Sequence, residues 1–118
     1  MPVETVRADG QARRIPIADF HRLPGDTPER DTTLAVDEIV LSVDLPDEEF
    51  GAHHTYLKLR DRLSYAFALV SVAAVIKLDG DTIQTARFAL GGVAHKPWRD
   101  AQAEAFLVGK PATHETFA

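Results

Sequence analysis

The sequence predicts an α+β fold in which an antiparallel hairpin with a third strand beside it is followed by helices. Three observations lead there. Residues 67–98, FALVSVAAVIKLDGDTIQTARFALGGVAHKPW, hold two alternating arms around Asp79-Gly80. A further alternating run, Thr55 to Arg60, stands just before them. Helix-start signals at Asp100 and Thr113 come after the strands rather than between them.

In chain order, residues 1–14 are polar, and Asp9-Gly10 predicts a turn between a Val3 to Arg7 strand and a segment beginning at Arg13. A small hairpin and a frayed terminus both fit. Pro16 stands where a helix can start, with Ile17, Phe20 and Leu23 on one side, and Pro24-Gly25 closes it. DTPERDTT is charged, contains Pro28 and lacks apolar periodicity, so an exposed loop is expected. Asp37-Glu38 reads as a turn. Ile39, Leu41, Val43 and Leu45 then alternate with Val40, Ser42 and Asp44, which predicts a half-buried strand ended by Pro46.

Residues 46–54, PDEEFGAHH, form a polar connection and the best boundary in the chain. Beyond it Tyr56, Lys58 and Arg60 alternate with Thr55, Leu57 and Leu59, a strand expected to pair with the hairpin. Asp61 to Ala66 fits a loop or one helical turn equally well. In the first hairpin arm Ala68, Val70, Val72, Ala74, Ile76 and Leu78 are all apolar, a face with a definite inside. Asp-Gly is the strongest short hairpin signal. On the return arm Ala86, Phe88 and Leu90 share one face, and Thr85 and Arg87 the other.

Gly91-Gly92 at a strand end predicts a bulge or a close backbone approach, and Pro97 suits an edge. Asp100 is the expected N-cap of a helix that offers Ala101, Ala105, Phe106 and Leu107 for packing and stops at Gly109. Thr113 announces another helix, and the chain stops one turn into it, so the polypeptide is expected to be truncated relative to its fold.

Composition narrows the function. With 118 residues and 45% hydrophobic content, one domain, or a domain plus a tail, is the expectation. A net charge of −5 without any Lys/Arg cluster argues against a nucleic-acid partner. Lack of cysteine excludes disulfides and thiolate-held zinc or iron–sulfur centres. No run resembles a signal peptide or the roughly 20 apolar residues of a membrane span, so a soluble chain is expected.

The candidate chemistry is sparse. His21, His95 and His114 are far apart, and the adjacent His53-His54 would point to opposite faces of a strand, so no metal site is expected. No Gly-x-Ser-x-Gly elbow, Gly-x-Gly-x-x-Gly or Walker loop is present, and no catalytic residue is assigned. Gly91-Gly92 reads as strand-end geometry rather than a phosphate cradle. Lys58, between Leu57 and Leu59, either presents a fixed positive charge to an electron-rich ligand or is simply solvated. Trp98, between Lys96 and Arg99, suits a cation–π contact or a cap on the core edge.

Taken together, LPGDTPERDTTL, DEIVLSVDLP, YLKLRDRLSYAFALVSVAAVIKLDG and ARFALGGVAHKPWR resemble the flavin-binding medium subunit of molybdenum hydroxylases, the xanthine dehydrogenase and aldehyde oxidoreductase family. The resemblance covers almost the whole chain. It is most specific in ALGGVAHKPWR and in the spacing from Pro46 to Lys58, and is nearest to the bacterial aldehyde oxidoreductase branch.

The resemblance implies that residues 1–46 are the tail end of a FAD-binding domain, 47–54 a linker, and 55–118 an incomplete C-terminal domain like that of the CO dehydrogenase flavoprotein, α+β, with an antiparallel sheet of three or four strands that carries helices on one face and is truncated at the C-terminus. FAD in such a subunit takes electrons from a molybdenum centre through iron–sulfur clusters and passes them to NAD, oxygen or ferredoxin. The implied partners are a molybdenum-binding large subunit and an iron–sulfur small subunit. The implied compartment is the cytoplasm, or the periplasm on co-export with a partner. Flavin contacts carry over to Ile39 and Val40, facing the isoalloxazine ring, and to Lys58 near the same ring, with Leu59 to Ala66 as a loop flanking flavin access. The family's glycine-rich pyrophosphate loops lie upstream of residue 1. The alternative expectation is a cofactor-free α+β interaction module that uses its open hairpin face to bind a protein partner or itself.

Overall fold

A computed structural model describes residues 1–47 and 52–118. The chain forms two compact units, Met1–Glu48 and Glu49–Ala118. Of the expected connection at 46–54, residues 48–51 lie outside the described residues.

In the first unit, β1 (Pro2–Arg7), β2 (Ala12–Pro16) and β3 (Glu38–Val43) form an antiparallel sheet in the order β2-β1-β3. Gly10 supplies the positive φ of +85° that the β1–β2 turn needs, and its N–H donates to the Arg7 carbonyl at 2.9 Å. The N-terminus is therefore a hairpin, not a frayed end. Short α1 (Ile17–Phe20) follows Pro16, whose φ of −56° suits a helix start, and packs on β1 and β2.

The register pairs Val3 with Ile15 and Thr5 with Arg13, so these four side chains share one face. Val3, Thr5 and Ile15 are buried there. Each of the two aliphatic side chains contributes about 1.5–3 kcal/mol on the usual scale for burial.

β3 departs from expectation. Glu38 closes the expected turn, its N–H donating to the Ala35 carbonyl at 3.2 Å, and is also the first and the buried residue of the strand, whereas Ile39, Val40, Leu41 and Val43 are exposed on both faces. The strand lies at the sheet edge, so it has a backbone neighbour on one side only. Its pairing also shifts. Glu4 opposes Ser42 and Thr5 opposes Val40, which leaves Leu41 as the extra residue of a bulge.

In the second unit, β4 (His54–Leu59), β5 (Val70–Asp79) and β6 (Thr82–Gly91) form an antiparallel sheet in the order β4-β5-β6. This is the three-stranded antiparallel sheet expected within the α+β class, and the first unit adds a second sheet of three strands. The hairpin turn sits one residue later than read. Asp79 pairs with Thr82, so Gly80-Asp81 is the two-residue loop, with Gly80 at φ +56° in its first position. Glycine first is the signature of a II′ turn, not of the I′ turn that Asp-Gly suggests.

A second bulge shapes the core. Lys77 opposes Thr85, yet Leu78 opposes Ile83, so Gln84 is extra. Simple alternation would send Ile83 and Ala86 to opposite faces. The added residue brings them to the same face, against Leu78 and Ile76, and both are buried, with Ile83 at 0% exposure.

The free edge of β6 is engaged at three places. Leu90 and Trp98 exchange backbone hydrogen bonds at 2.8 and 3.0 Å, the Phe88 N–H donates to the Glu104 carboxylate at 3.1 Å, and Ile83 exchanges bonds with Lys110 and Gly109 at 2.8 Å. Such cover removes the template that an open edge offers to other chains.

Glu104 lies on α2 (Ala101–Leu107), which Asp100 caps by accepting the Gln102 and Ala103 N–H groups. The packing face of α2 is not the expected one. Ala103, Glu104 and Leu107 turn inward, while Ala101, Ala105 and Phe106 are exposed. Phe106 instead lies under the Lys110 ammonium, 2.8 Å from the ring centroid. Thr113 caps α3 (His114–Phe117) through the Thr116 N–H, as its sequence position suggests. No described helix is long and apolar enough to cross a membrane.

Candidate functional site

Ile39 and Val40 stand at the start of β3, opposite Val6 and Thr5. As neighbours on a strand they project to opposite faces. Val40 shares the face of Thr5 and Glu38, while Ile39 is on the other face and 62% exposed. The Ala8 N–H donates to the Asp37 carbonyl at 3.0 Å. By the alternation of an antiparallel ladder, the backbone groups of Ile39 then point to β1 and those of Val40 point away from the sheet. This corner thus offers one apolar side chain on each face and a free backbone edge.

Just before it stands the carboxylate of Glu38, to which the sequence assigns only a place in a turn. Glu38 accepts from Arg13 Nε at 2.5 Å and Nη2 at 2.7 Å, from Thr5 Oγ1 at 2.5 Å and from the Ala35 N–H at 2.9 Å. Its own N–H donates to the Ala35 carbonyl at 3.2 Å, and Arg13 also donates to the Thr33 carbonyl at 2.8 Å. The Arg13 guanidinium, with the Ala35 and Thr5 bonds, pushes the Glu38 carboxyl down to about 2. A signal existed in the acidic residue opening an alternating run, yet nothing in one strand tells which distant arginine will meet it.

Lys58 belongs to the second unit. It lies on β4, an edge strand whose residues are all exposed, and opposes Ser71. Tyr56 shares its face. The opposite face carries Leu57, Leu59, Val70, Val72 and Leu90, which with Ser71 and Val93 line a shallow apolar hollow of about 270 Å³. Residues 59–66 contain no helical turn, and Tyr65 has a positive φ of +53°.

Gly91-Gly92 is a close-approach site. A Cβ on Gly92, at φ +81°, would stand 2.6 Å from the Leu69 carbonyl oxygen, and one on Gly91 would stand 2.5 Å from Ser71 Oγ. Gly92 is needed because the Leu69–Val70 backbone fills the space, whereas at Gly91 the obstacle is the Ser71 side chain. Trp98 meets β6 through its backbone, and Arg99 forms an ion pair with Glu104 at 2.6 Å rather than stacking on Trp98. Among the described residues no three His, Asp or Glu side chains gather as a metal site.

Residues 54–118 match the family described as the CO dehydrogenase flavoprotein C-terminal domain. Over 115 residues the chain is 50% identical to the aldehyde oxidoreductase FAD-binding subunit PaoB of Escherichia coli K12, covering 97% of this chain and 35% of that protein. Over 99 residues it is 33% identical to the glyceraldehyde dehydrogenase medium chain of Sulfolobus acidocaldarius, covering 84% of this chain and 33% of that one. Among solved structures, the carbon monoxide dehydrogenase of Hydrogenophaga pseudoflava matches with a TM-score of 0.81 at 28% identity, over 98% of this chain and 38% of the other. The chain spans about a third of the length of the curated relatives it matches. By the match over its second unit, the chain belongs to the CO dehydrogenase flavoprotein C-terminal domain family.

Proposed function

We propose that this chain is the C-terminal part of the flavin subunit of a molybdenum-dependent oxidoreductase, where it forms one wall of the FAD site and contacts partner subunits. The observation that carries this is the 50% identity, over 97% of the chain, to an aldehyde oxidoreductase FAD-binding subunit. On this reading residues 1–46 end the FAD-binding domain, 47–54 link, and 55–118 begin the C-terminal domain. The partners are a molybdenum-binding large subunit and an iron–sulfur small subunit, in the cytoplasm or exported with them. FAD, when bound, supplies the electron relay between the iron–sulfur clusters and an external acceptor.

The residues present fit part of that cofactor. Exposed Ile39 and Val40 suit a planar apolar ring, and exposed Lys58 suits its electron-rich edge. Nothing comparable serves the pyrophosphate among the described residues. The one glycine pair is filled by Leu69 and Ser71, and the other positive-φ glycines stand singly. The pyrophosphate is therefore assigned to the rest of the subunit.

The test is to express residues 1–118 together with the preceding part of the subunit and to measure flavin absorbance. Bound flavin, weakened by Lys58→Ala, is the expected result. No flavin in the joined protein would overturn the reading.

A second reading, a cofactor-free module that associates through an open face, is favoured by one observation. Leu57, Leu59, Val70 and Val93 are between 41% and 62% exposed around a single apolar hollow. Light scattering after size exclusion decides it, because a clean monomer excludes self-association through that face.

A further inference from the structure

We propose that Glu38 is a positioning residue of the flavin wall, whose carboxylate pins the start of β3 in the register that decides which face and edge Ile39 and Val40 present. The proposal rests on the flavin reading above.

Two registers meet within β3. Val43 and Ser42 oppose Val3 and Glu4, whereas Val40, Ile39 and Glu38 oppose Thr5, Val6 and Arg7, and the Leu41 bulge separates them. Extending the first register through the strand would remove the bulge and set Leu41 against Thr5, Val40 against Val6 and Ile39 against Arg7. Side chains alternate with a period of two, so that slip exchanges the faces of Ile39 and Val40. It also exchanges their backbone directions, turning the Val40 amide from the open edge toward β1.

The strand itself does little to choose between these states, because β3 is an edge strand whose apolar side chains are exposed on both faces. Glu38 does choose. In the bulged register it lies on the face of Thr5 and Arg13, and its side chain is fully buried against them. In the slipped register it would project to the other face, away from both. Arg13 would forfeit both of its charge-assisted bonds to the carboxylate, and Thr5 would keep only its longer bond to the Arg13 carbonyl at 3.3 Å. Ala35 strengthens the choice, since its N–H and C=O engage the carboxylate and the N–H of Glu38 together. The loop before β3 and the other two strands of its sheet thus converge on one side chain, one residue ahead of the wall.

The experiment uses the complete flavin subunit with FAD bound and reads the visible circular dichroism of the flavin together with FAD retention. Glu38→Gln keeps the shape and removes the charge. Ile39→Ala tests the wall itself. Glu104→Gln disturbs an equivalent carboxylate–arginine pair in the second unit and controls for general loosening. Glu38→Gln and Ile39→Ala are expected to alter the flavin dichroism and weaken FAD retention several-fold, with Glu104→Gln unchanged.

If Ile39→Ala alters the flavin and Glu38→Gln does not, the positioning role is wrong and the wall stands. If neither does, the flavin wall itself fails and the proposal with it. A change in Glu38→Gln that Glu104→Gln matches, or that Ile39→Ala lacks, also overturns the positioning role. Should Glu38→Gln not fold, Glu38→Asp takes its place, because the shorter side chain keeps Arg13 but withdraws from Ala35. Unchanged dichroism there is equally decisive against it.

Discussion

The Glu104 carboxylate accepts the backbone N–H of Phe88 at 3.1 Å and so closes the middle of the β6 edge. Arg99 holds that carboxylate with Nε at 2.9 Å and Nη2 at 2.6 Å, but its own side chain is 54% exposed. An ion pair so open to water is worth about 0–1 kcal/mol, so the edge amide is the larger stake. Glu104→Ala, which leaves that amide without its acceptor, is expected to cost about 1–3 kcal/mol. Glu104→Gln retains an acceptor and should lose much less. Urea denaturation of the chain and both variants measures this, and equal losses would mean that the charge, not the acceptor, matters.

Stability should fall in acid with a shape that identifies its source. Glu38 is pushed from 4.5 down to about 2 by Arg13, the Ala35 N–H and Thr5. A folded-state value below the unfolded one gives stability that is full above the unfolded pKa and is lost as pH falls toward the folded one. The window for Glu38 is therefore pH 4.5 down to about 2. Glu104, lowered chiefly by its hydrogen bond to Arg99, acts in the same direction. Melting temperatures taken across this window should fall steeply for the parent chain and less steeply for Glu38→Gln. Parallel curves would show that Glu38 is not a source of the acid sensitivity.

What could be read from the chain and what could not divide along a physical line. The hairpin, the strand at Thr55, and the Asp100 and Thr113 caps depend on neighbours within a few residues, and each is found at or within a residue of its expected place. Ile83 escaped because one extra residue at Gln84 resets the alternation, and a period of two cannot announce its own interruption. Hydrophobicity places Phe106 in the core, while the buried residue of α2 is Glu104. Both errors come from contacts that only the fold creates. The same holds for Glu38, whose partners Thr5 and Arg13 lie 33 and 25 residues away. Ile39 and Val40 were legible as a strand, but not as two faces beside a bulge.

Gly92 and Gly109 share a φ of +81° but not their surroundings. Alanine at Gly109 meets nothing within 4 Å, so it should cost only the left-handed backbone penalty, about 1–2 kcal/mol. Alanine at Gly92 meets the same penalty and places Cβ 2.6 Å from a backbone oxygen of Leu69, which has no rotamer by which to withdraw. Gly92→Ala is therefore expected to be clearly the worse of the two, and thermal melting of both variants makes the comparison. Equal destabilisation would show that the Leu69 strand yields.

Ile83 and Phe106 provide the sharpest contrast between hydrophobicity and placement. Ile83 is wholly buried beside Ala86, at the point where β6 meets Gly109 and Lys110, whereas Phe106 is 65% exposed. Ile83→Ala removes atoms from a small core that cannot close over the gap, so a loss of about 2–4 kcal/mol is expected, with Ile83→Val losing about 0.5–1.5 kcal/mol. Phe106→Ala gives up little burial and an exposed contact with Lys110, a change of about 0.5–1 kcal/mol. Denaturation midpoints of the three variants order these effects. If Phe106→Ala proved as damaging as Ile83→Ala, the bulge at Gln84 would not be what organises the core of the second unit, because the alternation without it gives Ile83 no place on the face of Ala86.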